Sequence, residues 1–257
     1  MRTCLKRETV WSYHAPLKLG FSLVELSIVL VILGLLVGGI LAGQSLIRAA
    51  ELRSITADYQ RYQAAIYSFR DKYFALPGDI TNATSFWPSS ANGNGDAILA
   101  NNTENYRLWE HLALAGLIEG SYTGYVSPAN YSTTPVIGRD VPAGKLSSSY
   151  WTSGYLSQSS AVNFEVGYTD LPDIRYNWLF FTGRDPTYGW IAYTGTYIMK
   201  PEEAWNVDSK IDDGKPASGK VRSSAISTTC TTTTTSAADY NLSGASMTCR
   251  ILGFLLN

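Results

Sequence analysis

Hydrophobic and polar residues change their pattern several times along this chain. From Leu26 to Ile47 there are 22 residues without a charge, which at about 1.5 Å of rise per residue would make a helix of roughly 33 Å, the thickness of one bilayer core. Past Arg48 the pattern becomes amphipathic. Leu52, Ile55, Tyr59, Tyr62, Ile66, Phe69 and Tyr73 recur at alternating spacings of three and four, which places them on one stripe of a helix. Arg53, Asp58, Arg61, Arg70, Asp71 and Lys72 lie between them, so one face is solvated while the other needs a domain to cover it. Pro77-Gly78 should end the helix, because proline cannot continue the hydrogen-bond ladder and glycine permits the turn. One helix of roughly 50 residues is far longer than the average globular helix.

Further on, Asn82 to Asn102 is rich in Asn, Ser and Gly and reads as a surface loop. Leu108, Trp109, Leu112, Ala115 and Leu117 mark a shorter helix ending between Gly116 and Gly120. The period then changes. Asn163 to Thr169, Arg175 to Thr182 and Trp190 to Met199 are rich in aromatic and β-branched residues and predict strands of an antiparallel sheet, while Ser121 to Ser160 reads as decorated loop. Pro201 to Ile211 has proline and acids in its first turn and Ala204, Val207 and Ile211 on one face, which predicts a helix. Gly214 is placed to take the left-handed cap. The run Thr231 to Thr235 reads as exposed low complexity, and Arg250 to Leu255 as a last apolar strand. The predicted class is α+β.

Charge sharpens this picture at the amino terminus. Arg2, Lys6, Arg7 and Lys18 stand against Glu8 alone in the first twenty residues, which leaves sixteen of the twenty basic and twenty of the twenty-one acidic side chains in the rest. The positive-inside rule therefore puts the amino terminus in the cytoplasm and everything after Arg48 outside. A mildly acidic body without clustered Lys or Arg lacks the electrostatic footprint of phosphate binding, so no nucleic-acid partner is expected. With Cys4 in the leader, Cys230 and Cys249 remain as a late pair. In an exported domain they read as one disulfide, against two unrelated buried thiols.

Three explanations compete for the apolar run: a cleaved secretory signal, an ordinary single-pass anchor, and a leader followed by a filament-forming helix. Glu25 decides among them. A carboxylate one turn into such a run costs about 2.5 to 3.5 kcal/mol at the centre of a membrane helix, less near an interface, and secretory h-regions avoid it. The stretch Lys18-Leu19-Gly20-Phe21-Ser22-Leu23-Val24-Glu25, followed by the apolar run, resembles the cleavage and methylation motif of type IV prepilins. The resemblance implies that a prepilin peptidase cuts after Gly20 and methylates the new amino terminus at Phe21, and that Glu25 supports assembly. It implies a leader at 1–20, a transmembrane helix at 21–47, an amphipathic continuation of that spine at 48–76 and a globular pilin-like domain at 77–257, with the spine packed on an antiparallel sheet. It also implies as partners other pilin-like subunits, an inner-membrane assembly platform and the inner membrane, which the chain would cross once with its carboxy-terminal domain in the periplasm. Gly34-x-x-x-Gly38 and Gly39-x-x-x-Gly43 either let neighbouring helices approach closely or reflect the frequency of glycine in membrane helices.

Catalytic signatures are missing from the sequence: no Gly-x-Ser-x-Gly, His-Glu-x-x-His, P-loop or dinucleotide fingerprint occurs. Past the leader there is one histidine, His111, among Trp109, Leu112 and Leu114, which reads as a packed or surface residue. An enzyme is not expected. Two places offer oxygen ligands for a hard cation. Asn92-x-Asn94-x-Asp96 has the alternation of a calcium loop but lacks the glycine and the distal glutamate. Asp208, Asp212 and Asp213 cluster late in the chain, where the major pseudopilins of type II secretion systems, which this chain resembles, carry calcium; their alternative is a capped helix end with solvated acids.

Full-length similarity to a set of bacterial pilin-like proteins rests on three phrases: Leu76-Pro77-Gly78-Asp79, His111 to Ile118 and Lys210-Ile211-Asp212-Asp213-Gly214. The function implied is a filament subunit, foremost a pseudopilin of a type II secretion-like system. The alternatives are a major or minor type IV pilin for adhesion, motility or DNA uptake, and a single-pass anchored binding domain that never polymerises.

Overall fold

The computed structural model describes residues 20, 22–99, 103–124, 135–156, 168, 176–184, 197–223, 229–249 and 251–256. Its first element is helix α1, Leu23–Tyr73, 51 residues long. The chain divides into two compact units, Met1–Ile47 and Arg48–Asn257. In the first, the side chains of α1 from Leu23 to Ile47 are exposed, Gly43 alone being half-buried. This helix is long and apolar enough to cross a membrane.

In the second unit the 3/4 spacing is answered by packing. Ile55, Tyr59, Tyr62, Ile66 and Phe69 are buried, with Leu52 and Tyr73 at the edges of the core. Tyr59 stacks on Phe254 with ring centroids 4.7 Å apart, and Tyr62 meets Trp109 at 5.0 Å and Trp151 at 5.5 Å, both edge-on. Aromatic pairs in these geometries contribute about 0.5 to 1.5 kcal/mol beyond the area they bury. The helix stops at Tyr73 rather than at 76. Phe74 turns into the left-handed region (φ 54°) and its N–H closes on the Arg70 carbonyl at 2.8 Å, a cap that Pro77 does not dictate.

After a one-turn helix α2, Ala83–Phe86, and helix α3, Glu104–Leu114, come strands β1, Ser149–Leu156, and β2, Tyr176–Gly183. Helix α4, Pro201–Ile211, and strands β3, Val221–Ser223, and β4, Ile251–Leu256, complete the described elements. The strands form one antiparallel sheet in the order β1-β2-β4-β3. Register puts Trp151 opposite Phe181 and Leu179 opposite both Ser153 and Phe254, so Trp151 and Phe254, which meet Tyr62 and Tyr59, share one face of the pleat. Trp178 and Phe180, on the other face, are buried as well. A strand buried on both sides explains the unbroken apolar run Trp178 to Phe181.

Several expectations need correction. The loop expected over Ser121 to Ser160 contains β1, a full partner of β2 along eight residues. Small hydroxyl residues hid it: Ser153 is buried because its hydroxyl donates to the Asn105 carbonyl at 3.0 Å. Strand β3 was also missed. Helix α3 begins four residues before Leu108 and ends at Leu114, with Gly116 left-handed just beyond (φ 72°). Within the expected strand Trp190 to Met199, Tyr197 and Ile198 are irregular and Met199 makes an isolated bridge to Cys249, while 190–196 lie outside the described residues. Of the expected strand Asn163 to Thr169 only Tyr168 is described. The threonine run is not wholly exposed: Thr231 is buried and bridges Tyr240.

Candidate functional site

The start of α1 holds the cleavage and assembly candidates. Gly20 is exposed, and Phe21 lies outside the described residues. Glu25 stands in the first turn, where its Oε2 accepts a hydrogen bond from the Ser22 N–H at 2.9 Å, while the Ser22 hydroxyl accepts a long one from the Val24 N–H at 3.3 Å. Ser22-Leu23-Val24-Glu25 is therefore a capping pair of the S-x-x-E type, a signal that the motif reading passed over. The carboxylate gains a local partner for part of its charge and sits at the positive end of the helix dipole. Cutting between Gly20 and Phe21 leaves this cap intact, since the Ser22 amide belongs to the Phe21–Ser22 bond.

In the globular unit, Asp208, Asp212 and Asp213 come together at the end of α4, with one oxygen of each within 4.8 Å of the others. Asp208 is fully buried. Its Oδ2 accepts from the Tyr240 hydroxyl at 2.9 Å and its Oδ1 from the Gly214 N–H at 3.2 Å. Burial, with the nearby Asp213 and Asp212 charges, pushes its carboxyl up to about 7, against the pull of those two hydrogen bonds. Asp213 accepts from the Lys215 N–H at 2.8 Å and the Ser218 hydroxyl at 2.6 Å, and Asp212 accepts from the Lys220 N–H. Gly214 takes the left-handed conformation expected of it (φ 72°). Three convergent carboxylates are the donor type a calcium ion takes, and backbone carbonyls or water would have to complete its six to eight ligands. Their present partners also knit the turn from α4 to β3.

A second acidic group, Asp79, Asp96 and Glu104, closes the loop after α1. Asp79 is buried and accepts from the Gly95 N–H at 2.6 Å and the Ala97 N–H at 2.8 Å, while Glu104 accepts from the Asn94 N–H at 3.0 Å. In the Asn92-x-Asn94-x-Asp96 segment, Asn94 and Asp96 thus serve a folded turn whose hub is Asp79, a residue the calcium-loop pattern did not contain. Beside it His111 is buried, flanked by Phe69 and Trp87. Its Nδ1 accepts from the Gly78 N–H at 2.9 Å, so the neutral ring carries its proton on Nε2, 3.0 Å from the Ser90 hydroxyl. Burial pushes the imidazole down to about 4. A ring already protonated toward Ser90 is not poised to take that proton, and the geometry reads as a structural node. It also links two of the three phrases singled out in the sequence, since the Gly78 N–H of the first donates to His111 of the second.

Cys230 and Cys249 are bonded, with Cα atoms 5.1 Å apart, and both are buried. Comparison with protein-family models, with curated proteins and with solved structures finds no match.

Proposed function

We propose that the chain is the precursor of a type IV pilus-like filament subunit, a pseudopilin of a type II secretion-like system. A prepilin peptidase would release it at Gly20-Phe21, and it would polymerise through α1 from the inner membrane on an assembly platform. The observation that carries this reading is one continuous helix with two kinds of surface: an apolar first part exposed along its length and bearing only Glu25, and a second part with a stripe buried in the globular unit. An apolar helix that no described residue of the chain covers needs lipid or identical neighbours around it. Asp208, Asp212 and Asp213 would be the calcium ligands in such a subunit.

In assembly, Glu25 of the subunit already placed would pair with the Phe21 amine of the subunit entering the filament, because two charges leaving water are stable together and costly apart. The capping bond from Ser22 supplies a competing role, and charge separates the two. Glu25→Gln keeps an acceptor for the Ser22 N–H but removes the charge; Glu25→Ala removes both, at a capping cost of about 1 kcal/mol. Both variants should be exported, cut and folded, and both should fail to yield sedimentable filaments when produced with the assembly machinery. Filaments from Glu25→Gln at the wild-type level would reduce Glu25 to a helix cap and remove the pairing step.

A further inference from the structure

The globular unit begins at Arg48, and the residues packed around Arg48 mark the place where the chain enters that unit. Arg48, the first charged residue after the apolar segment, makes a two-pronged ion pair with Glu203 in the first turn of α4, Nε to Oε1 and Nη2 to Oε2, both at 2.7 Å, and donates to the Ile198 carbonyl at 2.9 Å. Seven residues further along α4, Lys210 lines a shallow groove with Arg53, Thr56, Ala57 and Gln60 of α1. Glu203 is thus level with Arg48, and Lys210 level with the turns that follow it, so α4 runs in the same direction as α1. The segments at the start of α4 therefore lie beside Arg48, the first residue of the globular unit.

Two segments meet there. Met199 bridges Cys249, and the Thr248 N–H donates to the Met199 carbonyl at 3.2 Å, which places Met247 beside the start of α4. A Cβ built on Gly244 would lie 3.4 Å from Cγ of Pro201, which places the 241–247 loop at the same spot. That loop, Asn241-Leu242-Ser243-Gly244-Ala245-Ser246-Met247, carries no charge. Leu242 is 54% exposed, Met247 48%, and Tyr197, on the neighbouring segment, 37%. Lys200 and Glu202, which follow Tyr197 in sequence, carry one charge of each sign.

We propose that Leu242, Met247 and Tyr197 form a membrane-surface seat that rests in the headgroup layer while the subunit is still in the bilayer. The proposal relies on the membrane-anchored part of the reading above and not on polymerisation. Tyrosine with apolar neighbours is the composition that interfaces favour, and a covalent tether at Arg48 keeps the patch at the surface, so weak contacts suffice. The three side chains are themselves uncharged, so the seat needs no anionic lipid.

The test uses the processed chain in phosphatidylcholine vesicles, with a nitroxide on one introduced cysteine at a time: Leu242→Cys, Met247→Cys, Phe74→Cys at the end of α1, or Ile40→Cys in the apolar segment. Collision with a water-soluble nickel chelate and with oxygen reports depth. Labels at 242 and 247 should collide with the chelate several-fold less than the label at 74, and with oxygen more. Equal chelate access at 242, 247 and 74, with 40 shielded, overturns the seat and leaves the anchor standing. Free access at 40 overturns both. Shielding at 242 and 247 that disappears on dilution of the protein in lipid means a second copy covers the patch, and also overturns the proposal.

Discussion

The two parts of α1 share a backbone and differ in what their side chains require. From Leu23 to Ile47 apolar residues surround the helix and none is buried. From Arg48 to Tyr73 they keep to one stripe, and that stripe is among the most buried parts of the domain. Spacing, rather than hydrophobic content, decides whether a helix finishes its packing inside its own chain or must find lipid or a neighbour.

The sharpest way to break this comparison is to truncate one residue in each part. Phe69 is fully buried, and Phe69→Ala should destabilise the globular unit by about 3 to 5 kcal/mol. Leu36→Ala, in the exposed part, should change it by less than about 0.5 kcal/mol. Thermal unfolding of the detergent-solubilised protein, followed by near-ultraviolet circular dichroism, measures both. Comparable losses would mean that the two parts are not energetically distinct.

The disulfide comes next. It closes a loop with a sequence separation of 19, and the chain-entropy model gives about 3 kcal/mol for such a loop. Replacing both cysteines by serine should lower the denaturant midpoint accordingly. An unaltered midpoint would show that the tail is held by β4 alone.

Two buried titrating groups give opposite pH signatures. The folded His111 titrates near 4, below its ordinary value, so its contribution is complete above pH 6.5 and is lost as pH falls toward 4, on the order of 3 kcal/mol in all. Asp208 titrates near 7 when folded, so the folded state holds its proton more tightly and stability falls as pH rises from about 4 to 7. The two partly cancel in the wild type between pH 4 and 6.5. In the presence of a chelator, Asp208→Asn should leave stability rising more steeply with pH across that window, and His111→Gln should leave it falling. Unchanged slopes in both variants would contradict the burial assigned to these residues.

The smallest expected effect concerns calcium. If the three late aspartates hold the ion, saturating calcium should raise the melting temperature by a few degrees and Asp212→Ala should abolish the response. No response in the wild type would leave the cluster as the knot of the α4–β3 turn.

Much of this architecture was legible in residue spacing. The stripe from Leu52 to Tyr73 and the start of α4 at Pro201 are local patterns, and the structure places them where the pattern did. The pairing of Cys230 with Cys249 was legible from their isolation. β1 was not, because Ser149, Thr152 and Ser153 are polar by type and become buried only through pairing with β2 and contact with α3. Asp79 was illegible for a related reason: its partners, Gly95 and Ala97, offer backbone N–H groups, which leave no mark in composition. The Ser22–Glu25 cap was legible but was overshadowed by the motif in which it sits.

The central claim is that the apolar helix begins at a processed end. Intact-mass analysis of the protein extracted from membranes, with fragmentation of the amino terminus, tests it most directly. The expected chain begins at Phe21, carries one methyl group on its terminal nitrogen and retains Glu25 and the whole apolar helix. An uncut amino terminus, or one near Gln44 from cleavage by signal peptidase, would contradict the filament-subunit account.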